Sequence, residues 1–265
     1  MKIYDCFTFN DENHILNIRL NELDKFVDFF IIIEFGENHQ GKKKGQKIDL
    51  KLLEKFKEKI KYFYIEKFNS NFNSWEKENF QRNLIMEGIN KAQPDDYILI
   101  SDLDEIPNPK KLQNIYKHKY SVFNQSVFYY KFNLKNISET NWYGTRCCKK
   151  KYLISPQKLR NEKIKNYPFW RLDKIYNKKF NIIEDGGWHF TYIKTLSDIK
   201  KKIKSFAHKE FNKDKYLDDT YLKQKIDNGE DLFERDFKFK KIEVNQNNLP
   251  TYLVENINNY SSWLL

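Results

Sequence analysis

The sequence predicts an α/β protein built on an open, mostly parallel sheet, and three observations carry that reading. Strand-like apolar runs alternate with helix-like stretches through residues 1–108 in the order β-α-β-α-β-α-β, the pattern of parallel strands joined by right-handed crossovers. Val27-Asp28-Phe29-Phe30-Ile31-Ile32-Ile33-Glu34 is almost continuously apolar, as a strand covered on both faces must be. Tyr97-Ile98-Leu99-Ile100 runs straight into Ser101-Asp102-Leu103-Asp104-Glu105, after which Pro107 and Pro109 stop a strand from continuing.

Taken in order, Ile3 to Phe9 reads as the first strand, and Asn10-Asp11-Glu12 opens a helix carrying Ile15, Ile18, Leu20 and Leu23. The second strand is the Val27 to Glu34 run. Gly36 and Gly41 bound a polar loop, a lysine-rich helix follows near Asp49 to Lys59, and Tyr62 to Ile65 forms a third strand. A longer helix from about Trp75 to Lys91 leads to the acidic strand. Beyond a helix near Pro109 to His118, the pattern turns strand-rich, with runs at Ser121 to Asn133, Trp142 to Cys147 and Lys151 to Ile154. A polar stretch, Leu159 to Lys179, precedes Asn181 to Tyr192, where the paired glycines Gly186-Gly187 deliver Trp188 and His189 to the head of a strand. Helices are expected from Thr195 to His208 and Leu217 to Asn228, and a last strand at Phe237 to Val244. No repeat or low-complexity linker divides the chain, so residues 1–265 are read as one domain with a mixed strand-rich and helical second half.

Composition narrows the function classes. The 265 residues are 40% hydrophobic, which suits a globular chain. The formal net charge of +11 comes almost wholly from lysine accompanied by many Asn, Ile, Tyr and Phe, so it reads as a compositional bias and not as a nucleic-acid signal. Cys6, Cys147 and Cys148 are too few and too poorly spaced for a disulfide framework or a zinc site. Together with the absence of a signal-peptide pattern or a membrane-spanning apolar run, they lead to the expectation of a cytoplasmic protein. The triplets Asn136-Ile137-Ser138 and Asn259-Tyr260-Ser261 match the N-glycosylation pattern, which has no meaning without a secretory route.

Chemistry concentrates at the acidic strand end. Three carboxylates within four positions repel one another, so they need solvent or a cation to screen them, and a divalent ion with oxygen ligands serves this well. Asp102 and Asp104 fall on one face of an extended chain. The same acids also suit a solvated strand end ahead of a helix. In open α/β sheets ligands sit beyond the carboxyl ends of strands, where Glu34, the Gly41 loop and Asp102 to Glu105 are all expected. Trp188-His189 reads either as a packed aromatic with a satisfied histidine or as part of a site.

Several stretches, in this order and spacing, resemble glycosyltransferase family 17, the family of the bisecting β-1,4-N-acetylglucosaminyltransferase of N-glycans. They are Cys6-Phe7-Thr8-Phe9 with Ile18-Arg19-Leu20-Asn21-Glu22-Leu23; Val27-Asp28-Phe29-Phe30 leading to Glu34; Gly41-Lys42-Lys43-Lys44; Trp75 with Glu78-Asn79-Phe80-Gln81-Arg82-Asn83; Asp102-Leu103-Asp104-Glu105-Ile106-Pro107; Gly187-Trp188-His189-Phe190; Ser205-Phe206-Ala207-His208-Lys209-Glu210; and Leu249-Pro250-Thr251-Tyr252-Leu253. The resemblance implies a GT-A type fold with a Rossmann-like sheet, a nucleotide-sugar-binding half over 1–108 and an acceptor-side half over 109–265. It also implies a UDP-sugar donor, N-acetylglucosamine by default and glucose or galactose as alternatives, with inversion at the anomeric carbon. The expected acceptor is a glycan or other saccharide.

The resemblance assigns roles by position. Asp104 is the expected direct ligand of Mn²⁺ or Mg²⁺, Asp102 meets metal or ribose, and His189 completes the metal set. Glu34, Gly41, Lys42 and Lys44 belong to the donor side, the two lysines as point charges for phosphate. Arg82 either holds nucleotide, buttresses a carboxylate or forms a helix-surface ion pair. An inverting transfer needs a general base; Glu210 is favoured over Asp185 and Glu184. Trp142 and Trp188 stack on acceptor sugar or simply pack. One departure is Lys77, where family members often carry arginine. Two rival classes are a metal-dependent nucleotidyltransferase, for which no Gly-x-x-x-x-Gly-Lys loop or second acidic pair is found, and a basic nucleic-acid-binding module.

Overall fold

A computed structural model describes the protein except for residues 39, 70, 140, 165–178 and 206–213; for 201, 202, 204, 205 and 214 only the backbone is described. Its elements follow the expected alternation. Strand β1 (Ile3–Phe9) leads to α1 (Asn13–Leu23), β2 (Phe29–Phe35), α2 (Leu50–Glu54) and β3 (Ile60–Ile65). Helices α3 (Ser74–Asn83) and α4 (Ile85–Gly88) precede β4 (Tyr97–Asp102) and the short β5 (Glu105–Pro107). The second half holds β6 (Tyr120–Tyr129), β7 (Leu134–Asn136), β8 (Trp142–Lys149), α5 (Pro156–Asn161), β9 (Asn181–Ile183), β10 (Gly187–Thr191), α6 (Leu196–Ser205), α7 (Asp219–Asp227), β11 (Phe239–Lys241) and α8 (Thr251–Glu255).

The strands form one mixed sheet of 11 strands, ordered β11-β7-β6-β8-β4-β1-β2-β3, with β5, β9 and β10 joined at its side. Strands β3, β2, β1 and β4 are mutually parallel. Antiparallel β8 pairs with both β4 and β6 and so welds the parallel half to the rest. The apolar alternation decides the layers: Ile3, Phe7, Phe30, Ile32 and Leu99 pack on one face, while Cys6, Ile31, Ile33, Ile98 and Ile100 pack on the other. A third cluster gathers Val127 and Tyr129 of β6 with Ile199, Leu222 and Ile226 of α6 and α7. Cys147 and Cys148 fall in different layers and are free thiols, as is Cys6. No described helix is long and apolar enough to cross a membrane.

Three elements differ from the sequence reading. The helix expected from Trp75 to Lys91 is broken at Leu84; in its second part Gly88 lies against β2, where a Cβ would come 2.2 Å from Ile31 Cγ2. The strand expected at Lys151 to Ile154 is a 3-10 turn, Lys150–Tyr152, followed by α5, because Ser155 caps the backbone N–H of Lys158 at 3.2 Å and Pro156 starts a helix well. The Pro109 to His118 segment is a 3-10 helix over Pro109–Ile115.

Candidate active site

Chain order places a crevice between β1 and β4. After β1 the chain steps outward through β2 and β3, then returns to the other side of β1 for β4, and such a reversal opens a cleft at the carboxyl ends of the strands. A cleft of about 380 Å³ lies there, lined by Thr8, Phe9 and Asn10 after β1, Glu37 and Asn38 after β2, Lys44, Arg82 of α3, and Asp102 and Asp104 after β4. That volume is in the range of small-ligand sites.

The three acids of the turn have separate surroundings. Glu105 is buried, and its carboxylate accepts from Arg160 (2.8 and 3.0 Å), from Trp142 Nε1 (3.0 Å) and from the Asp102 backbone N–H (3.0 Å). Asp102 accepts from Arg82 at 2.9 Å on one oxygen and from Arg160 at 3.1 Å on the other. Burial works to raise the Asp102 carboxyl, but the Arg82 and Arg160 guanidiniums outweigh it and hold the group well below the usual carboxylate range. Asp104 faces the cleft, 18% exposed, with Oδ2 3.7 Å from His189 Nε2. The screening that the sequence assigned to solvent or a divalent ion is supplied for Asp102 and Glu105 by the protein's own arginines.

A buried arginine holds the turn from below. Arg19 of α1 pairs with Asp5 (2.8 and 2.6 Å) and Ser101 (2.6 Å), and its NH1 donates to the carbonyls of Asp102, Leu103 and Glu105 at 2.9 to 3.1 Å. From the other side β10 pairs antiparallel to β5, placing His189 opposite Glu105, and the Phe190 N–H donates to the Asp104 carbonyl at 2.9 Å. Gly187 makes this approach possible: its φ is +133°, and a Cβ would lie 2.1 Å from the Ile106 carbonyl. His189 stacks on Trp142, ring centres 4.3 Å apart.

Of the residues expected on the donor side, Glu34 is fully buried and does not line the cleft. It accepts from Lys47 N (2.6 Å) and Tyr62 OH (2.7 Å) and lies 3.5 Å from Lys44 Nζ, so it ties down the loop after β2. Lys44 reaches the cleft edge and donates to the Asn10 carbonyl at 2.7 Å; burial lowers its ammonium pKa, against the pull of Glu34. Gly41 takes a positive φ of 79° in a turn organised by Asn38, whose Oδ1 accepts from the Lys42 N–H at 2.9 Å, and the Lys42 side chain is exposed. The Lys77 ammonium sits beside Gly41, 2.9 Å from where a Cβ would be. Arg82 also bonds Gln157 of α5 and Glu78.

The model of glycosyltransferase family 17 matches residues 1–265, the whole chain. The chain belongs to glycosyltransferase family 17. A search of curated proteins finds no match. As a family 17 glycosyltransferase the protein has a sugar donor and an acceptor to accommodate.

Of the remaining candidates, Asp185 and Glu184 lie apart from the Asp104–His189 pair. Asp185 sits on the β9–β10 turn, 88% exposed and 3.9 Å from Lys111, near the end of β10 away from His189. Glu184 accepts from Asn124 at 2.7 Å. Trp188 is a core residue whose Nε1 donates to the Asn248 carbonyl at 2.8 Å, while Trp142 is half-buried over His189. Glu210 lies outside the described residues. Sequence reasoning missed Arg160, Arg19 and Gln157. The available signal was rarity: only six of the 48 basic residues are arginine, and Arg19, Arg82, Arg146 and Arg160 gather round the acidic turn, Arg146 by bonding the carbonyls of Leu159 and Glu162 that flank Arg160.

Metal fit can be judged from these groups. Two ligands about 2.1 Å from one ion lie within about 4.2 Å of each other, so the 3.7 Å between Asp104 Oδ2 and His189 Nε2 suits a shared divalent ion. Asp102 has both oxygens engaged by guanidiniums, and among the described residues no three His, Cys, Asp or Glu side chains group as a metal site. The residues therefore fit an ion held by one carboxylate and one imidazole that takes its other ligands from outside the chain, as Mg²⁺-type ions commonly do.

Proposed function

We propose that the protein is an inverting, metal-dependent glycosyltransferase of GT-A type that moves a sugar, N-acetylglucosamine by default, from a UDP-sugar to a saccharide or glycan acceptor. Residues 1–108 form the donor-binding half and residues 109–265 the acceptor side. The observation that carries this reading is the Asp104–His189 pair at the mouth of the β1/β4 cleft, beside an Asp102 already neutralised by Arg82 and Arg160. Asp104 and His189 would hold Mn²⁺ or Mg²⁺. Such an ion, when bound, neutralises the charge that builds on a departing diphosphate.

The chain's own groups do the rest. Lys44, at the cleft edge, adds a point charge for phosphate, with Lys42 on the same loop; Glu34 and Gly41 shape that loop. Asp102, held rigid by two arginines, offers a fixed acceptor to the donor's ribose. Trp142, stacked on His189, keeps the imidazole in orientation and presents an aromatic face for sugar. The acceptor hydroxyl must lose a proton as it attacks, and Glu210 is the proposed base, ahead of Asp185.

The decisive experiment is calorimetry of UDP binding with and without Mn²⁺. Asp104→Ala is expected to remove the Mn²⁺-dependent part of UDP affinity while leaving circular dichroism and thermal unfolding close to wild type, because a carboxylate that faces the cleft contributes little to the apolar core. A folded Asp104→Ala protein with wild-type Mn²⁺-dependent affinity would overturn the assignment.

A further inference from the structure

The turn between β1 and α1 brings two carboxylates to the rim of the β1/β4 cleft. Asn10 and Glu12 line that cleft, and Asp11 stands between them in the chain. Adjacent carboxylates disfavour each other's ionisation, and burial together with the charge of Glu12 pushes the Asp11 carboxyl above its usual range. An anion entering the cleft meets the same two charges.

The counter-charge arrives from the far end of the sequence. Lys194, just beyond the end of β10, pairs with the Asp11 carboxylate and lies 2.9 Å from Glu12 Oε1, its side chain only 6% exposed. Lysine is almost never buried unless it is paired. A strained turn delivers it: Tyr192 takes a positive φ of 56°, and the Lys194 N–H donates to the Tyr192 carbonyl at 2.8 Å. A bulky side chain holds that backbone conformation only where its surroundings impose it. The same two segments meet again where His14 Nε2 donates to the Ile193 carbonyl at 2.8 Å. On the opposite side the loop after β2 holds the turn, with Lys44 donating to the Asn10 carbonyl at 2.7 Å and Asn13 bonding the Lys47 carbonyl and the Asp49 N–H at 2.8 and 2.9 Å. Lys44 divides its charge with Glu34, 3.5 Å away. Lys194 is the ammonium that pairs with both rim acids.

We propose that Lys194 is a positioning residue for donor binding: it neutralises Asp11 and Glu12, so that the rim of the cleft admits an anionic diphosphate, and it anchors the end of the strand that carries His189 to the wall of that cleft. The proposal rests on the transferase reading above.

The test compares UDP with uridine, which lacks the diphosphate, in ligand-observed NMR titrations of the full chain with Mg²⁺. Lys194→Met is expected to weaken UDP about tenfold at low salt and less at high salt, and to leave uridine unchanged. Lys194→Arg keeps the charge and should bind UDP as the wild type does. Adding Asp11→Asn and Glu12→Gln to Lys194→Met should restore UDP affinity, because the amides keep the shape of the acids and remove their charge. A lysine that served packing alone would not be rescued in this way. Asp11→Asn with Glu12→Gln and Lys194 intact is the second measurement, independent of how well Lys194→Met folds, and should bind UDP more tightly than the wild type. Equal losses for UDP and uridine in Lys194→Met, no recovery in the triple variant, or unchanged UDP affinity in both Lys194→Met and the double variant overturns the proposal and leaves the transferase reading in place. A wild-type protein that binds no UDP, with Mg²⁺ here or with Mn²⁺ in calorimetry, overturns the transferase reading itself and this proposal with it.

Discussion

At the scale of single residues, the choice between lysine and arginine carries the site. In a chain where lysine is the default cation, arginine stands where a planar fork must bond two partners at once, and Arg160 bridges Asp102 and both oxygens of Glu105. Burial would pull the Arg160 guanidinium down, but Glu105 and Asp102 outweigh it and raise its pKa. The partner effect is a depressed Asp102 carboxyl. Because its folded pKa is below the unfolded value of about 3.9, its stabilising contribution is fully present above that pH and is lost only as pH falls through the folded value. In a ¹³C carboxyl titration Asp102 should therefore stay ionised through the range where other aspartates protonate, and Arg160→Gln should move its midpoint upward. An Asp102 that titrates with the ordinary aspartates in the wild-type protein would contradict the two-arginine geometry.

At the scale of elements, the acidic turn is an irregular loop made rigid by its neighbours. Helix α1 contributes Arg19, fully buried with Asp5, whose NH1 gathers three carbonyls of the turn. Removing one partner of a buried ion pair leaves the other charge uncompensated, at a cost of about 3–5 kcal/mol. Arg19→Met should lower stability by that amount in urea unfolding; a loss below about 1 kcal/mol would mean that Asp5 is satisfied in some other way. Strand β10 contributes His189 only because Gly187 lets it close against β5. Gly187→Ala adds a Cβ to a left-handed backbone position and into the Ile106 carbonyl, so it should cost at least about 1–3 kcal/mol and weaken Mn²⁺-dependent UDP affinity with it. Full affinity and stability in that variant would show that β10 does not need this approach.

At the scale of the whole molecule, β8 joins the parallel half to the second half through one sheet, so a ligand bound at the end of β4 braces strands on both sides. A ligand at a hundredfold its Kd stabilises the native state by about 2.7 kcal/mol. For a chain of this size that corresponds to roughly 5–10 °C in Tm. UDP with Mn²⁺ should produce such a shift and UDP with EDTA should not; equal shifts under both conditions would argue against a metal-assisted donor site. The +11 net charge plays no part in this scheme. Its lysines are largely solvated, as with Lys42 and Lys43, while a few pair locally, such as Lys149 and Lys151 on Asp95.

What the sequence determined by itself is whatever local periodicity and turn chemistry can specify. The apolar run at 29–35 is a strand whatever lies beside it, Asn73 and Glu76 start α3 with reciprocal capping, and the acids at 102–105 follow a buried strand. The order of matching stretches was enough to reach the family. Tertiary structure alone decided how the three acids divide: Asp102 and Glu105 to arginines, Asp104 to the cleft beside His189. Those partners lie 20, 58 and 85 positions from the acids they meet, and no short-range pattern records which distant side chain a crossover will deliver. Periodicity is a property of neighbours along the chain, and a site is a property of neighbours across it.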